Sequence, residues 1–436
     1  MTNAYIPIGK LFNVKKGELQ STKCTPGEYA FITAAEDWKT HENFAYECEA
    51  LVFAAAASGS LGRTHYVDGK FTASDLCFVL TVKDAKMYPI NMQFYHFVFN
   101  SLKNAVVKAT KSGTSKESIN QSNFNSYQLP YFDIVQQDLW IDKLKNTLVK
   151  KDLIINELNK QQGLLKKLRK QILQEAIEGK LSADWRANNP KSEPASEVLK
   201  RIKAEKIGLY KKSQQYSSQQ VEDQEKLFKI PSSWEWCRLG DIVLSAKDGP
   251  HESPEYSKSG IPFISTRNIS TSGINFSSSK FISKQYHEIL SKKCKPEKGD
   301  ILYTKGGTTG VACVNTYDID FNVWVHVAVL KKPVSMNSFY IQHVLNSPHC
   351  HYQSQKYTHG IGNQDLGLTR MIKITTPLPP YAEQEFIVEK IERLFKMCDQ
   401  LEARLDSNQA YTEDLMQSVL KEAFTHEIKI LEPVDA

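Results

Sequence analysis

Apolar residues recur along this chain with two different periods. Across residues 136–178, Leu139, Leu144, Leu148, Ile155, Leu158, Leu165, Leu168, Ile172 and Ile177 follow mostly at steps of three, four and seven, uninterrupted by proline. That spacing predicts a long amphipathic helix. Residues 384–425 repeat it with Ile387, Ile391, Leu394, Leu401, Leu405, Leu415, Val419 and Leu420. Each stretch could extend roughly 60 Å as one helix. Gly163 is expected to bend the first, and Asp406–Gln409 to break the second. Ahead of each helix lie short β-rich runs separated by Gly, Ser, Asn and Asp turns. In the first half these are Tyr29–Thr33, Leu51–Ala54 and Leu76–Val82, followed by a short apolar helix at 92–102. In the second half they are Gly260–Ser265, Asp300–Thr304 and Val323–Leu330, followed by a helix at 338–347.

The two halves align. Leu168, Leu173, Ala176 and Leu181 lie 247 positions before Leu415, Leu420, Ala423 and Ile428, and Gln137-Asp138 stands at the same offset from Gln384-Glu385. Gly59 and Gly62 match Gly307 and Gly310 at 248. A fixed offset over such lengths marks an internal duplication and predicts a pseudo-two-fold molecule. Gly9 matches Gly240 at only 231, so the second copy carries about 17 extra residues, expected within 270–297. An insertion of that kind is loop-like, and loops on a scaffold carry specificity. The expected domains are a first module at 1–134, a long helix at 135–181, a Lys/Glu/Ser/Gln-rich linker at 182–230 with one short helix near 195–212, a second module at 231–378, a long helix at 379–428 and a tail at 429–436.

Charge refines this picture. Residues 136–180 hold ten Lys/Arg against six Asp/Glu, whereas residues 383–427 hold five against eleven. A basic and an acidic helix with matching stripes are expected to pack on each other. The residues expected in that seam are Leu144, Leu148, Leu158, Leu165, Leu168 and Ile172 on one helix. On the other they are Ile391, Leu394, Leu401, Leu405, Leu415 and Val419. At 436 residues, with 41% hydrophobic and 24% charged, the chain reads as two or three soluble globular domains. No apolar run reaches membrane-spanning length, and the start lacks a signal-peptide pattern. Eight scattered cysteines without a C-x-x-C pair fit reduced thiols in a cytoplasmic protein. The net charge of +6 permits a nucleic-acid partner without requiring one.

Catalytic motifs fail on inspection. Leu378-Pro379-Pro380-Tyr381 has the outline of the N/D-P-P-Y loop of amino-methyltransferases, but leucine cannot accept a hydrogen bond from a target amino group. Lys305-Gly306-Gly307-Thr308-Thr309-Gly310 is glycine-rich without the spacing of an ATP-binding loop. Glu178-Gly179-Lys180 carries a nuclease-like E-x-K but sits where a helix should stop. His349-Cys350-His351 has no further ligands nearby, so no metal site is expected.

What remains are groups that can meet DNA. Lysines neutralise phosphates, while Asn, Gln and Arg read base edges through paired hydrogen bonds. The candidates in the first half are Ser58, Ser60 and Arg63 at the first Gly turn, then Lys108, Lys111, Ser112 and Lys116. Those in the second half are Lys247, Arg267, Asn268, Lys305, Thr308, Thr309, Lys356, Tyr357, His359, Asn363 and Gln364.

Three stretches resemble a known family. Pro231-Ser232-Ser233-Trp234-Glu235-Trp236 followed by Arg238-Leu239-Gly240-Asp241-Ile242 is similar to the module opening of type I restriction-modification specificity subunits. Leu378–Ile391 (LPPYAEQEFIVEKI) and Gln174–Pro190 (QEAIEGKLSADWRANNP) are similar to the helix entry and helix end of that family. In the first copy the Pro-x-x-Trp opening is absent, and Leu129-Pro130-Tyr131-Phe132 stands in place of LPPY.

The resemblance implies an α+β fold, with two similar target-recognition domains separated by two long antiparallel, coiled-coil-like helices. It also implies a non-catalytic subunit. Each domain would read one half of a split, asymmetric site in double-stranded DNA. The helices would fix the spacing and dock two adenine-methyltransferase subunits that use S-adenosylmethionine. ATP- and Mg-dependent restriction/translocase subunits would join these. No cofactor is expected on the chain itself. The competing readings are a coiled-coil scaffold with two protein-binding modules, and a self-contained restriction or modification enzyme with cryptic motifs.

Overall fold

The computed structural model describes residues 4–56, 59–112, 118–209, 219–360 and 364–425. They form two compact units, Met1–Lys160 with Leu405–Ala436, and Gln161–Arg404. Among the described residues no helix is long and apolar enough to cross a membrane.

In the first unit the chain runs through β1 (Ala4–Pro7), α1 (Ile8–Leu11), β2 (Phe12–Lys16), β3 (Tyr29–Ile32), β4 (Lys39–His41), β5 (Tyr46–Glu47), β6 (Ala50–Ala54), β7 (Thr64–Val67), β8 (Lys70–Ala73) and β9 (Cys77–Val82). Then follow α2 (Met92–Ser101), α3 (Lys103–Thr110), β10 (Lys111–Ser112), β11 (Ser118–Ile119), α4 (Gln121–Ser126), β12 (Gln128–Tyr131) and the long α5 (Ile134–Ile177). Strand order is β2-β9-β6-β7 in the main sheet and β4-β3-β8-β5 in the second. β3 and β8 pair in parallel, and β1 pairs with β12. The run Ala50–Ala54 is buried at every position. A strand buried on both faces reads as continuous apolar sequence rather than alternation. Leu51 and Phe53 face the helices with Phe94, Phe99 and Phe124, while Val52 and Ala54 face the second sheet with Ile32, Phe71 and Ala73.

After α5 come α6 (Ala183–Asn188) and α7 (Ala195–Leu209), then β13 (Glu235–Arg238), α8 (Leu239–Ile242), β14 (Ser245–Asp248), β15 (Ile261–Ile264), β16 (Ile269–Ser270), β17 (Gly273–Ile274), β18 (Lys280–Ile282) and α9 (Lys284–Ser291). The second unit continues with β19 (Ile301–Thr304), β20 (Ala312–Val314), β21 (Asn322–Val323), β22 (Val327–Lys331), α10 (Ser338–Leu345), α11 (Pro348–Tyr357), α12 (Leu368–Met371), β23 (Thr375–Leu378) and the long α13 (Tyr381–Thr425). The first module's plan returns, with a three-stranded second sheet, β18-β15-β21, in place of four strands. The order β14-β22-β19-β20 matches β2-β9-β6-β7. β15 and β21 are parallel as β3 and β8 are, and β13 pairs with β23. Register is kept as well: Leu51 faces Leu80 and Ile301 faces Leu330, each partner shifted by 250. The extra residues of the second copy form the β16–β17 hairpin and α9, between β15 and β19.

Each module is fixed to its long helix by the same joint. Gln137 accepts a 2.7 Å hydrogen bond from the backbone N–H of Asn91, and its amide donates to the Phe132 and Pro89 carbonyls. Asn91 in turn caps α2. In the second unit Gln384 accepts from the N–H of Asn337, the cap of α10, and donates to the Pro379 carbonyl. Tyr95 and Tyr340 donate their hydroxyls to the Pro130 and Pro377 carbonyls, completing the match.

The long helices depart from expectation in two ways. The expected break is absent, since 406–409 lie inside α13, and Gly163 lies inside a continuous α5. A single glycine costs only about 1 kcal/mol inside a helix, and Asp406–Gln409 contains no proline. α5 stops at Gly179, whose φ of +74° is a left-handed helix end, with Lys180 N–H returning to the Glu175 carbonyl.

The second departure concerns the seam. Within the second unit Arg169 binds Asp399 at 2.6 Å and Glu402 at 3.0 Å, while Arg186, beyond the end of α5, binds Glu383. Rising numbers on one element meet falling numbers on the other, so the two segments run antiparallel. Leu165, Ile172, Leu173, Ile387, Val388 and Ile391 are buried there, and Leu394 is half-buried. Leu168 and Leu401 are not, at 45% and 46% exposed. In the first unit Leu144 belongs to the module core. Leu158 is buried, and Leu148 and Leu405 are half-buried. Leu415 is 62% exposed, and the side chain of Val419 lies outside the described residues. The stripe is wider than one seam can cover, so part of it faces outward.

The segment 182–230 is more than a linker. Ala195, Val198, Ile202 and Val221 are fully or nearly buried. Lys206 on α7 donates to the carbonyls of Gly240 and Asp241, and Arg238 gathers Glu225 with the carbonyls of Gln219 and Gln220. A Lys/Glu-rich composition conceals an apolar face at steps of three and four.

Candidate nucleic-acid interface

The three family-like stretches converge on one buried carboxylate. Glu383, fully buried, accepts from Ser182 Oγ at 2.6 Å, from Arg186 at 2.5 Å and from the indole N–H of Trp234 at 2.8 Å. The motifs therefore build a structural junction between helix end, module opening and helix start.

The polar candidates gather elsewhere, at a turn and a small hairpin that recur in both modules. Gly59, Gly62, Gly307 and Gly310 all have positive φ, between +68° and +89°. This is the left-handed region that favours glycine. Gly62 N–H returns to the Ala54 carbonyl and Gly310 N–H to that of Thr304. At its second glycine each turn is crowded, so an added side chain would force a neighbour to shift. A Cβ on Gly62 would lie 2.6 Å from Val107 Cγ2, and one on Gly310 would lie 2.4 Å from Ser354 Oγ.

The hairpin beside each turn comes from the loop after α3 or α11. In the first module β10 and β11 form it, and Ile119 N–H bonds the Ala55 carbonyl. In the second, His359 and Asp365 bridge each other, Leu366 N–H bonds the Lys305 carbonyl, and Gly307 N–H bonds that of Gln364. Segments far apart in sequence thus present one rim per module.

Several candidates prove to build this rim rather than to project from it. Lys305 is expected to reach a phosphate, but it is buried and turned inward, with its ammonium 3.3 Å from both Asp248 and Asp365. A buried cation is tolerated only when so paired. Thr309 is buried and accepts from the Gln355 amide. Asn268 is buried and closes its own loop, accepting from Ser265 N–H and donating to the Asn275 carbonyl. Ser60 and Arg63 are partly buried, with Arg63 donating to the Ala34 carbonyl and to Ser60.

Exposed candidates are Lys108, Lys111 and Ser112 near the first rim, and Lys247, Arg267, Thr308, Lys356, His359 and Gln364 in the second module. Tyr357 is half-buried at the end of α11. Ser58, Lys116 and Asn363 lie outside the described residues.

The second module's rim encloses a cleft of about 810 Å³ lined by Tyr256, Arg267, Lys280, Thr308, Trp324 and Gln364, among others. Arg267 is exposed among its lining residues, just ahead of the inserted hairpin. Lys280 lies 3.9 Å from the centre of the Tyr256 ring. On the floor, Gly306 lies so close to His326 that a Cβ would come within 2.1 Å of its Nδ1. Trp324 Nε1 and His326 Nδ1 are buried without a partner among the described residues. Cationic, amide and aromatic groups around one concavity suit a ligand with negative charge, flat rings and hydrogen-bonding edges. Beside the first turn, Trp38 donates to His65 at 3.1 Å, leaving His65 Nε2 buried and unpartnered among the described residues. Sequence reasoning missed Tyr256, Lys280, Trp324 and His326. Trp324 and His326 lie in the apolar run 323–330, which read as a strand, and Tyr256 and Lys280 left no signal.

Comparison with known proteins follows the same lines. A family profile described as "Type I restriction modification DNA specificity domain" matches residues 2–162 and again 231–408. The specificity subunit of type I restriction enzyme EcoEI from Escherichia coli is 29% identical over 255 residues, covering 56% of this chain and 42% of that protein. The chain thus spans under half of that relative's length in the match. The EcoDI specificity subunit from Escherichia coli is 24% identical over 440 residues, covering 97% of this chain and 88% of that one. A chain from a solved type I R-M system structure shares the fold, with a TM-score of 0.55, 14% identity and 97% of each chain covered. With both modules matched separately and together making up most of its length, this chain belongs to the type I restriction modification DNA specificity domain family.

Proposed function

We propose that this chain is the DNA-recognition subunit of a type I restriction-modification complex and is not itself an enzyme. Each module reads one half of a split site in double-stranded DNA through the rim formed by its Gly turn and hairpin. The observation that carries this reading is the recurrence of one rim, on one topology, with unlike polar residues: Lys108, Lys111 and Ser112 in one copy, Arg267, Thr308 and Gln364 in the other. Unlike readers on a common frame suit unlike half-sites. Backbone contacts set register and base contacts set sequence. Two weak readers on one chain gain affinity through effective concentration when both half-sites lie in reach.

The outward apolar residues of the long helices support a docking role. In the second unit these are Leu164, Leu168, Met397 and Leu401, and in the first Leu153, Ile154, Tyr411 and Leu415. Apolar patches of this kind mark protein interfaces. Their occupants on this reading are two adenine-methyltransferase subunits carrying S-adenosylmethionine, joined by ATP- and Mg-dependent restriction subunits. The methyltransferases extrude their target adenines from the stack, and this chain only positions the duplex.

The test is a map of methylated adenines in cells with and without the gene. Loss of a single bipartite, non-palindromic motif is expected. Persistence of every motif, or methyl transfer by the purified chain alone, overturns the reading.

A further inference from the structure

The second module carries a basic feature distinct from the cleft lining. Lys247 on β14, Lys292, Lys293 and Lys295 after α9, and Lys331 at the end of β22 surround a recess of about 190 Å³, together with Glu297. The β14–β22 ladder sets Ser245 opposite Lys331 and Lys247 opposite Val329. Side chains alternate along a strand, so Lys247 and Lys331 share a face.

Much of this charge is internally balanced. Lys331 lies 2.6 Å from both Glu297 and Asp300. Lys295 meets Asp320 at 2.9 Å, and Lys293 meets Asp248 at 3.4 Å. Lys247 and Lys292 are exposed and have no carboxylate partner among the described residues. The recess therefore has an ordered wall of paired lysines and two uncompensated ammonium groups at its mouth, an arrangement fit for a compact anion.

Its position relative to the cleft is defined by one side chain. Asp248 holds Lys293 through Oδ1 and Lys305 through Oδ2. Lys305 belongs to the Gly turn that rims the cleft, so a single carboxylate separates recess from rim. The repeat adds a second argument. In the first module Lys15 faces Val79 across β2 and β9, as Lys247 faces Val329 across β14 and β22. Val79 and Val329 are 250 positions apart, the offset that relates the two main sheets. Lys15 is exposed too. One lysine at this register is common to both modules, and the insertion adds three more to the second.

We infer that the recess is a phosphate-binding site for the DNA backbone, giving the second module an ionic grip that the first has only in part. This rests on the DNA-recognition reading above and adds a sequence-independent contact to it. The inserted segment then serves the backbone through Lys292, Lys293 and Lys295, while Arg267 just ahead of it lies at the cleft.

The test measures binding of the full chain to a duplex containing its site across a range of salt concentrations. Wild type is compared with K247Q/K292Q and with K166Q/K167Q, which removes equal charge from the long helix. Each lysine–phosphate contact contributes about 0.9 to the slope of log K against log salt. K247Q/K292Q is therefore expected to lower the slope by roughly 2, with an unchanged methylated sequence. K166Q/K167Q is expected to leave the slope at the wild-type value. A K247Q/K292Q slope equal to wild type overturns the inference, as does weakened assembly with partner subunits at constant slope. Failure of the underlying reading looks different: wild type itself would show no site-dependent affinity for duplex DNA.

Discussion

The indole N–H of Trp234 donates a 2.8 Å hydrogen bond to Glu383, a residue 149 positions further along the chain. Arg186 and Ser182 occupy the other carboxylate oxygen. Removing one partner of a buried pair strands the rest, at a cost of about 3–5 kcal/mol. Glu383→Ala should fall near the lower figure, because Arg186 is partly exposed and can regain some water. Glu383→Gln keeps acceptor and shape and should cost less. Urea unfolding of the three proteins checks the order; equal stability of all three removes Glu383 from this role.

The two glycines of one turn should respond differently to the same substitution. Gly307 has φ +68° and open space around its Cβ position, whereas Gly310 has φ +89° and a side-chain atom 2.4 Å away. Gly307→Ala should cost about 1 kcal/mol from left-handed backbone alone. Gly310→Ala adds a steric clash and should cost clearly more, by displacing α11. Thermal unfolding of both variants distinguishes them, and a Gly307→Ala penalty equal to or above that of Gly310→Ala contradicts the packing described.

Acid should weaken the second unit through His343. Burial lowers the pKa of this histidine from 6.5 to about 4. It packs edge-on against Phe395, and its Nε2 has no partner among the described residues. The unfolded chain takes up a proton near pH 6.5, which the folded chain resists until about pH 4. The stability due to the neutral ring is therefore complete above the upper value and lost as pH falls toward the lower one. Between about pH 7 and about pH 5 the loss should be roughly 2 kcal/mol. His343→Leu should flatten that decline. Parallel acid slopes for variant and wild type would refute the assignment.

Recognition should change one half of the target at a time. Arg267→Ala and Gln364→Ala remove an exposed cation and an exposed amide at the second module's cleft. Each lost base contact relaxes discrimination by about 1–3 kcal/mol at its position. Methylation maps of cells carrying either variant should show degeneracy in one half-site, with the other half and the spacing intact. Degeneracy in both halves would sink the division of labour between modules.

The sequence made the repeated plan visible because periodicity survives in both copies. Leu165, Ile172 and Ile391 lie in the seam as their spacing demands. Leu168 and Leu401 share the spacing yet face outward, since periodicity defines a face without saying what covers it. The Gly turns were legible from Gly59, Gly62, Gly307 and Gly310. The inward fate of Lys305 was not, because Asp248 and Asp365 reach it only through folding. Packing of 182–230 was hidden by polar composition, with Val198 and Ile202 too sparse to stand out. The lysines at 292–295 did leave a signal, a charge run inside an inserted stretch.

The pairing of β1 with β12, and of β13 with β23, brings the entry and exit of each module side by side. Every module is thus attached through a two-stranded neck, locked to its helix by Gln137 or Gln384. Whatever happens beyond the neck need not propagate through it. A whole module could therefore be replaced at that point with only two strand ends to rejoin, while the frame that holds it stays unaltered.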